Sequence, residues 1–229
     1  AWMVDILSGV LTGSSHGGKT KDPFQDFTGP QNVGHLFITI NPKIFVGNNF
    51  MKEINKNINR VKKHGPPKLI ENGKKFTFVV VSPQCPRGSR WEPWELTVLL
   101  DELIEINNID EDRIYITGLS MGGFGTWDLA AYAPERFAAI APICGGGNTL
   151  DGKLLINLPT WVFHGAEDKV VPASFSESMA AAIRKAGGRP KVTIYSHAGH
   201  DCWPETYENP TLYAWFLKQQ RRKNDSRAD

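Results

Sequence analysis

Apolar positions along the chain gather into short β-branched or aromatic blocks, and stretches with helical spacing separate them. Strand-like blocks cover Phe76 to Val81, Arg113 to Thr117, Ala138 to Ile143, Thr160 to Phe163 and Lys191 to Tyr195. One helix is expected after Pro93, from near Trp94 to Ile106; a second runs from Met121 to about Ala133 and is stopped by Pro134. A third covers about Ala173 to Ala186 ahead of Gly187-Gly188, and the last begins at Pro210 with Asn209 as its cap. Strands alternating with helices predict an α/β fold, a doubly wound and mostly parallel sheet flanked by helices. Sites in such sheets lie at the carboxyl ends of the strands. Residues 1–35 are weakly patterned and rich in Gly, Ser, Thr and Gln, which suggests irregular structure, and no internal repeat is visible.

The most informative junction is Ile114-Tyr115-Ile116-Thr117-Gly118-Leu119-Ser120-Met121-Gly122-Gly123, where a strand breaks at a glycine and a helical pattern follows at once. A Gly-x-Ser-x-Gly turn between strand and helix is a nucleophile elbow: it holds the serine in a strained conformation that leaves no room for side chains two positions to either side. A serine hydroxyl is a weak nucleophile at neutral pH, so Ser120 requires a histidine base and a carboxylate, following in the order Ser, Asp, His. Asp168 stands in a turn after the block Trp161 to Phe163, three residues past Gly165 and just before Val170-Val171-Pro172; Glu167 is its nearest competitor. His200 lies in a loop after Lys191 to Tyr195, in the run Ala198-Gly199-His200, with His197 as the rival base. An Asp after a strand is ordinarily a turn former and a loop histidine ordinarily solvated; the order of all three selects the catalytic reading.

Composition narrows the classes. The chain has 229 residues, 41% hydrophobic and 22% charged, enough for one globular domain spanning residues 1–229. A net charge of +2 gives no reason to invoke nucleic acid, and the basic stretch Lys218 to Lys223 reads as the solvated end of a helix. No apolar run has the length of a membrane span. Asp5 interrupts the N-terminal apolar segment, which lacks a basic start, so no signal peptide is read there and the compartment stays open. Cys85, Cys144 and Cys202 show no Cys-x-x-Cys spacing and no metal-ligand cluster; free thiols are the default, a Cys144–Cys202 disulfide the alternative. Gly13-Ser14-Ser15-His16-Gly17-Gly18-Lys19-Thr20 fits a phosphate-loop pattern, but Asp22-Pro23 and Gly29-Pro30 follow too soon for the helix such a loop needs, so it reads as a flexible Gly-Ser loop.

These motifs resemble the α/β-hydrolases, close to the esterases related to feruloyl and acetylxylan esterases. The likeness covers roughly residues 62–217. Besides the triad segments it includes His164-Gly165-x-x-Asp168-x-x-Val171-Pro172, Lys63-His64-Gly65-Pro66-Pro67, Val81-Ser82-Pro83-Gln84-Cys85-Pro86, Trp91, Ala141-Pro142-Ile143-Cys144-Gly145-Gly146-Gly147 and His200-Asp201-Cys202-Trp203. A dienelactone hydrolase, related in fold, would resemble this chain with cysteine as the nucleophile; here the position is Ser120. One departure concerns catalysis. The family carries an early His-Gly turn, placed after a central strand, whose following amide helps bind the oxyanion, and no such pair follows a strand-like block at the front of this chain. The best counterpart is Ile44-Phe45-Val46-Gly47-Asn48-Asn49, with Val46 in the histidine position, so Asn48 and Met121 are the candidate oxyanion-hole amides. Leu36 to Asn41 ranks lower because Pro42, next in line, has no donor.

The resemblance implies a serine carboxylesterase acting on short-chain acyl or aryl esters, feruloyl or acetyl esters among them, through an acyl-enzyme and without metal or organic cofactor. Trp203, Trp91 and Gln84 are the candidate substrate-binding residues, Trp203 foremost; Trp94 is a further aromatic near the motifs. A peptidase or phospholipase of the same fold is the alternative hydrolase, and a degenerated homologue that only binds ligands is the alternative class.

Overall fold

A strand exists only as part of a ladder, and the blocks that find ladder partners are those after residue 110. The computed structural model describes residues 61–85, 89–107 and 109–221. They belong to two compact units, Ala1–Arg90 and Trp91–Asp229. The Gly13 to Thr20 pattern, residues 1–35, Leu36 to Asn41 and Ile44 to Asn49 lie outside the described residues.

In the first unit, α1 (Gly65–Glu71) starts with prolines in its first turn, where the missing N–H is no loss. The strand expected over Phe76 to Val81 is not formed; the backbone there is irregular. The Phe76 and Phe78 rings do meet, with centroids 4.9 Å apart, as two residues on one face of an alternating segment would. Yet Val79 is 77% exposed, and no ladder among the described residues receives this backbone. β-propensity describes fit to a pleated neighbour and forms nothing without one.

The second unit is built on β1 (Tyr115–Leu119), β2 (Ala139–Ile143), β3 (Trp161–Gly165) and β4 (Lys191–Tyr195), parallel and in the order β1-β2-β3-β4. β1 starts two residues later than expected because the Asp110 carboxylate accepts the Asp112 amide and winds Glu111–Arg113 into a 3₁₀ turn. The register aligns the carboxyl ends, with Leu119 beside Ile143 and Gly165 beside Tyr195. Helix α2 (Pro93–Ile106) precedes the sheet, α3 (Met121–Tyr132) joins β1 to β2, and α4 (Ser174–Lys185) joins β3 to β4. A helix not foreseen, α5 (Trp203–Glu208), precedes α6 (Pro210–Leu217); six residues are too few to show a 3.6-residue period. Asn209 caps α6 as expected, its Oδ1 accepting the Thr211 amide at 2.9 Å.

Strand alternation sorts the two faces of the sheet. Ile116, Ile140, Val162 and Val192 point to one core, made with Trp127 and Ala130 of α3 and Met179 and Ile183 of α4. Their neighbours point the other way: the Tyr115 ring meets Phe216 at 5.1 Å, Trp161 meets Trp215 at 5.4 Å, and the Thr117 hydroxyl lies 3.0 Å from that of Tyr207. Helices thus cover both faces, which is the doubly wound arrangement the alternation predicts. The basic tail is held rather than free at Arg221, whose guanidinium reaches Asp112 at 3.1 Å. Among the described residues, no helix is long and apolar enough to cross a membrane.

Candidate active site

β1 ends and α3 begins with no intervening loop, so one residue has to take the whole change of direction. That residue is Ser120, with φ 52° and ψ −117°, a conformation that side chains other than glycine rarely adopt. The turn closes because Gly118 lacks a Cβ; one placed there would collide with the Gly122 carbonyl. Ser120 donates its own amide into the sheet end, to the Ile143 carbonyl at 3.0 Å and to Cys144 Sγ at 3.2 Å. The next amide, that of Met121, opens α3, where first-turn N–H groups have no intrahelical acceptor and a helix N-terminus favours negative charge. This is the position expected of the oxyanion donor; its expected companion Asn48 lies outside the described residues.

Cys144 carries the other positive φ of a non-glycine residue among those described, 42°. Cys144 and Cys202 are buried and outside any disulfide, so the alternative Cys144–Cys202 bridge is not formed. The two thiols are hydrogen-bonded instead, and that contact together with burial pushes the Cys144 thiol far up, which keeps it neutral.

Asp168 and His200 reach Ser120 from the ends of β3 and β4. Two amide bonds lace the turn after β3 to the loop after β4: Ala166 N–H donates to the Tyr195 carbonyl at 2.9 Å and Glu167 N–H to that of Ala198 at 3.0 Å. The approach is so close that a Cβ on Gly165 would collide with the Ala198 and Gly199 carbonyls. The turn buries Asp168 and leaves Glu167 exposed. Asp168 Oδ2 lies 2.7 Å from His200 Nδ1, and His200 Nε2 lies 2.9 Å from Ser120 Oγ. A carboxylate only accepts, so Nδ1 carries the hydrogen and Nε2 is the acceptor facing the serine hydroxyl. Burial works to raise the Asp168 carboxyl, but the bonds from His200, Val171 and Val170 outweigh it and hold the group below the ordinary aspartate value. The rival His197 is turned away, exposed and 3.1 Å from Glu205.

Of the candidate substrate-binding residues, Trp203 is at the site: its ring stands edge-on to His200, centroids 5.5 Å apart at 89°. Trp91 is buried against Gly125 of α3, where a Cβ would come within 2.6 Å of its ring. Gln84 is half-buried in the first unit, and Trp94 is 55% exposed. Sequence reasoning gave no role to His164 or Ser176. Both are fully buried, and His164 Nε2 lies 3.1 Å from Asp168 Oδ2. The signal was a histidine in the apolar block Trp161-Val162-Phe163-His164, since a polar ring inside a buried strand requires partners.

The dienelactone hydrolase family model matches residues 95–209, half of the 229-residue chain. The chain is similar to the bifunctional acetylxylan esterase/xylanase of Neocallimastix patriciarum, 31% identical over 149 residues that cover 60% of this chain and 21% of that protein. It is also similar to poly(3-hydroxyalkanoate) depolymerase C of Paucimonas lemoignei, 35% identical over 91 residues, covering 32% of this chain and 22% of that one. Among solved structures, a thermostable esterase is 39% identical with a TM-score of 0.59, covering 62% of this chain and 44% of that one. The chain thus spans less than half the length of each of these relatives.

Proposed function

The chain belongs to the dienelactone hydrolase family, and from that premise we propose that it is a serine carboxylesterase acting through an acyl-enzyme. The observation that carries the reading is the single imidazole of His200 bridging Ser120 Oγ at 2.9 Å and Asp168 Oδ2 at 2.7 Å. As Ser120 Oγ attacks the ester carbonyl, His200 Nε2 takes its proton, and Asp168 stabilises the imidazolium and fixes its orientation. Negative charge then develops on the carbonyl oxygen, which the Met121 amide receives. Collapse of the adduct expels the alcohol, which leaves with the proton from Nε2. Water, deprotonated by the same nitrogen, releases the acid and restores Ser120.

The substrate class is short-chain acyl or aryl esters. Trp203 beside His200 supports an apolar wall at the reacting centre, and the acetylxylan esterase named above is a relative whose name fits small acyl groups. The test is hydrolysis of p-nitrophenyl acetate, butyrate and a longer ester by the wild type and Ser120→Ala. Loss of roughly 10⁴-fold or more in kcat in the variant is the expected result; equal near-background rates in both would sink the reading.

A further inference from the structure

His164 stands at the fourth position of β3, wholly buried, and its contacts form a chain that ends behind the nucleophile. Its Nε2 lies 3.1 Å from Asp168 Oδ2 and 2.8 Å from the Val171 carbonyl oxygen. Both are acceptors, so Nε2 bears the hydrogen and donates. Its Nδ1 is then the acceptor and takes the Ser176 hydroxyl hydrogen at 2.7 Å, while Ser176 Oγ also lies 2.9 Å from the Gly145 carbonyl oxygen. Gly145 follows Cys144, whose Sγ accepts the Ser120 amide.

The Asp168 carboxylate has about four lone-pair sites, and the structure gives them four donors. Oδ1 takes the Val170 and Val171 amides at 2.8 and 2.9 Å, and Oδ2 takes His200 and His164. We propose that His164 is a positioning residue for the triad: by donating to the same oxygen that receives His200 Nδ1–H, it locks the carboxylate plane that aims His200 at Ser120. It also takes a share of the negative charge that His200 would otherwise meet alone. The inference rests on the serine-esterase reading for its catalytic consequence, but not for its geometry.

A histidine that merely fills the core predicts a loss of stability on substitution and nothing else. A positioning residue predicts a change in the triad. The titratable groups facing Asp168 are His164 from β3, His200 from the loop after β4, and the Cys144 thiol after β2, which stays neutral. In His164→Leu the full carboxylate charge faces His200, its imidazolium is favoured, and the acid limb of the kcat/KM profile moves to higher pH, while looser aim lowers kcat/KM about 10- to 100-fold. His164→Gln, whose amide can donate to the same oxygen, recovers most of that loss.

The experiment measures three things on the full chain: the pH profile on p-nitrophenyl acetate, thermal melting, and the low-field proton resonance of the His200 Nδ1–H···Asp168 bond, which needs no turnover. A shifted resonance and acid limb in His164→Leu, both largely restored in His164→Gln, is the expected result. An unchanged resonance and limb in His164→Leu, with only the melting temperature lowered, would overturn the proposal. Should His164→Leu fail to fold, Ser176→Ala decides: it frees the far side of the ring, and the proposal falls unless the resonance moves. A wild type that shows the resonance but hydrolyses no ester would refute the esterase reading alone and leave the His164 comparison standing.

Discussion

The turn holding Ser120 and the paired turns holding Asp168 and His200 place their residues by different physics. At Ser120 the backbone does the placing: a non-glycine residue at φ 52° is wedged between β1 and α3, and Gly118 and Gly122 approach where no Cβ fits. At Asp168 and His200 hydrogen bonds do it, through four donors on one buried carboxylate, two of them backbone amides, and an imidazole shared between two oxygens. Steric exclusion has few alternatives, so the first region is rigid and tolerates little. Hydrogen bonds can be rewired atom by atom, so the second can lose its chemistry and keep its fold.

That difference gives its largest effect at Asp168. Asp168→Asn retains the shape but presents an amide where His200 needs an acceptor-only group, which permits the wrong imidazole tautomer; kcat/KM is expected to fall about 10⁴-fold. Differential scanning calorimetry should show the cooperative transition retained. A rate within tenfold of wild type would break the assignment of the acid. The reverse pattern belongs to the elbow. Gly118→Ala puts a Cβ against the Gly122 carbonyl, backbone that cannot step aside. The expected cost is about 4 kcal/mol, lost mainly as folded protein and read from the denaturant midpoint. A folded, fully active Gly118→Ala would show that the elbow is looser than its geometry implies.

The same contrast explains what the amino-acid order disclosed. The elbow was legible because its requirement is written as residue type: glycines at two fixed offsets from a serine, between a β-branched block and a helical one. The preference for Asp168 over Glu167 and for His200 over His197 came from spacing; in the structure Asp168 is enclosed and Glu167 exposed, while His197 turns to Glu205. The His164–Ser176–Gly145 chain was not legible, because it joins residues 31 positions apart between Ser176 and Gly145 that no local pattern relates. Phe76 to Val81 failed for a related reason: alternation reports that a segment could pair, and pairing is decided by a neighbour far along the chain. α5 was missed through brevity.

Acid exposes the polar region before the steric one. Asp168 sits below the ordinary aspartate value, so its contribution to stability is complete above that value, about 3.9, and drains away as pH falls through the lower folded-state value. Below about pH 4 the melting temperature of the wild type should therefore fall more steeply than that of Asp168→Asn, which has no carboxylate to protonate. Parallel curves would mean that Asp168 titrates alike folded and unfolded, contrary to its four hydrogen bonds.

The smallest expected effect probes the boundary between the two kinds of placement. Trp203 opens α5 and stands perpendicular to the His200 ring, an edge-to-face contact that restrains the imidazole without bonding to it. Such a pair is worth about 0.5–1.5 kcal/mol, so Trp203→Ala should lower kcat/KM on p-nitrophenyl acetate roughly two- to tenfold if it acts through the ring alone. A wall that also meets the acyl chain gives a second signature: the loss grows from acetate to butyrate and appears in KM rather than kcat. A uniform loss confined to kcat assigns Trp203 to the base, and a chain-length-dependent rise in KM assigns it to the substrate. No change in either would leave His200 held by Asp168 and its hydrogen bonds alone, the strictest form of the contrast with Ser120.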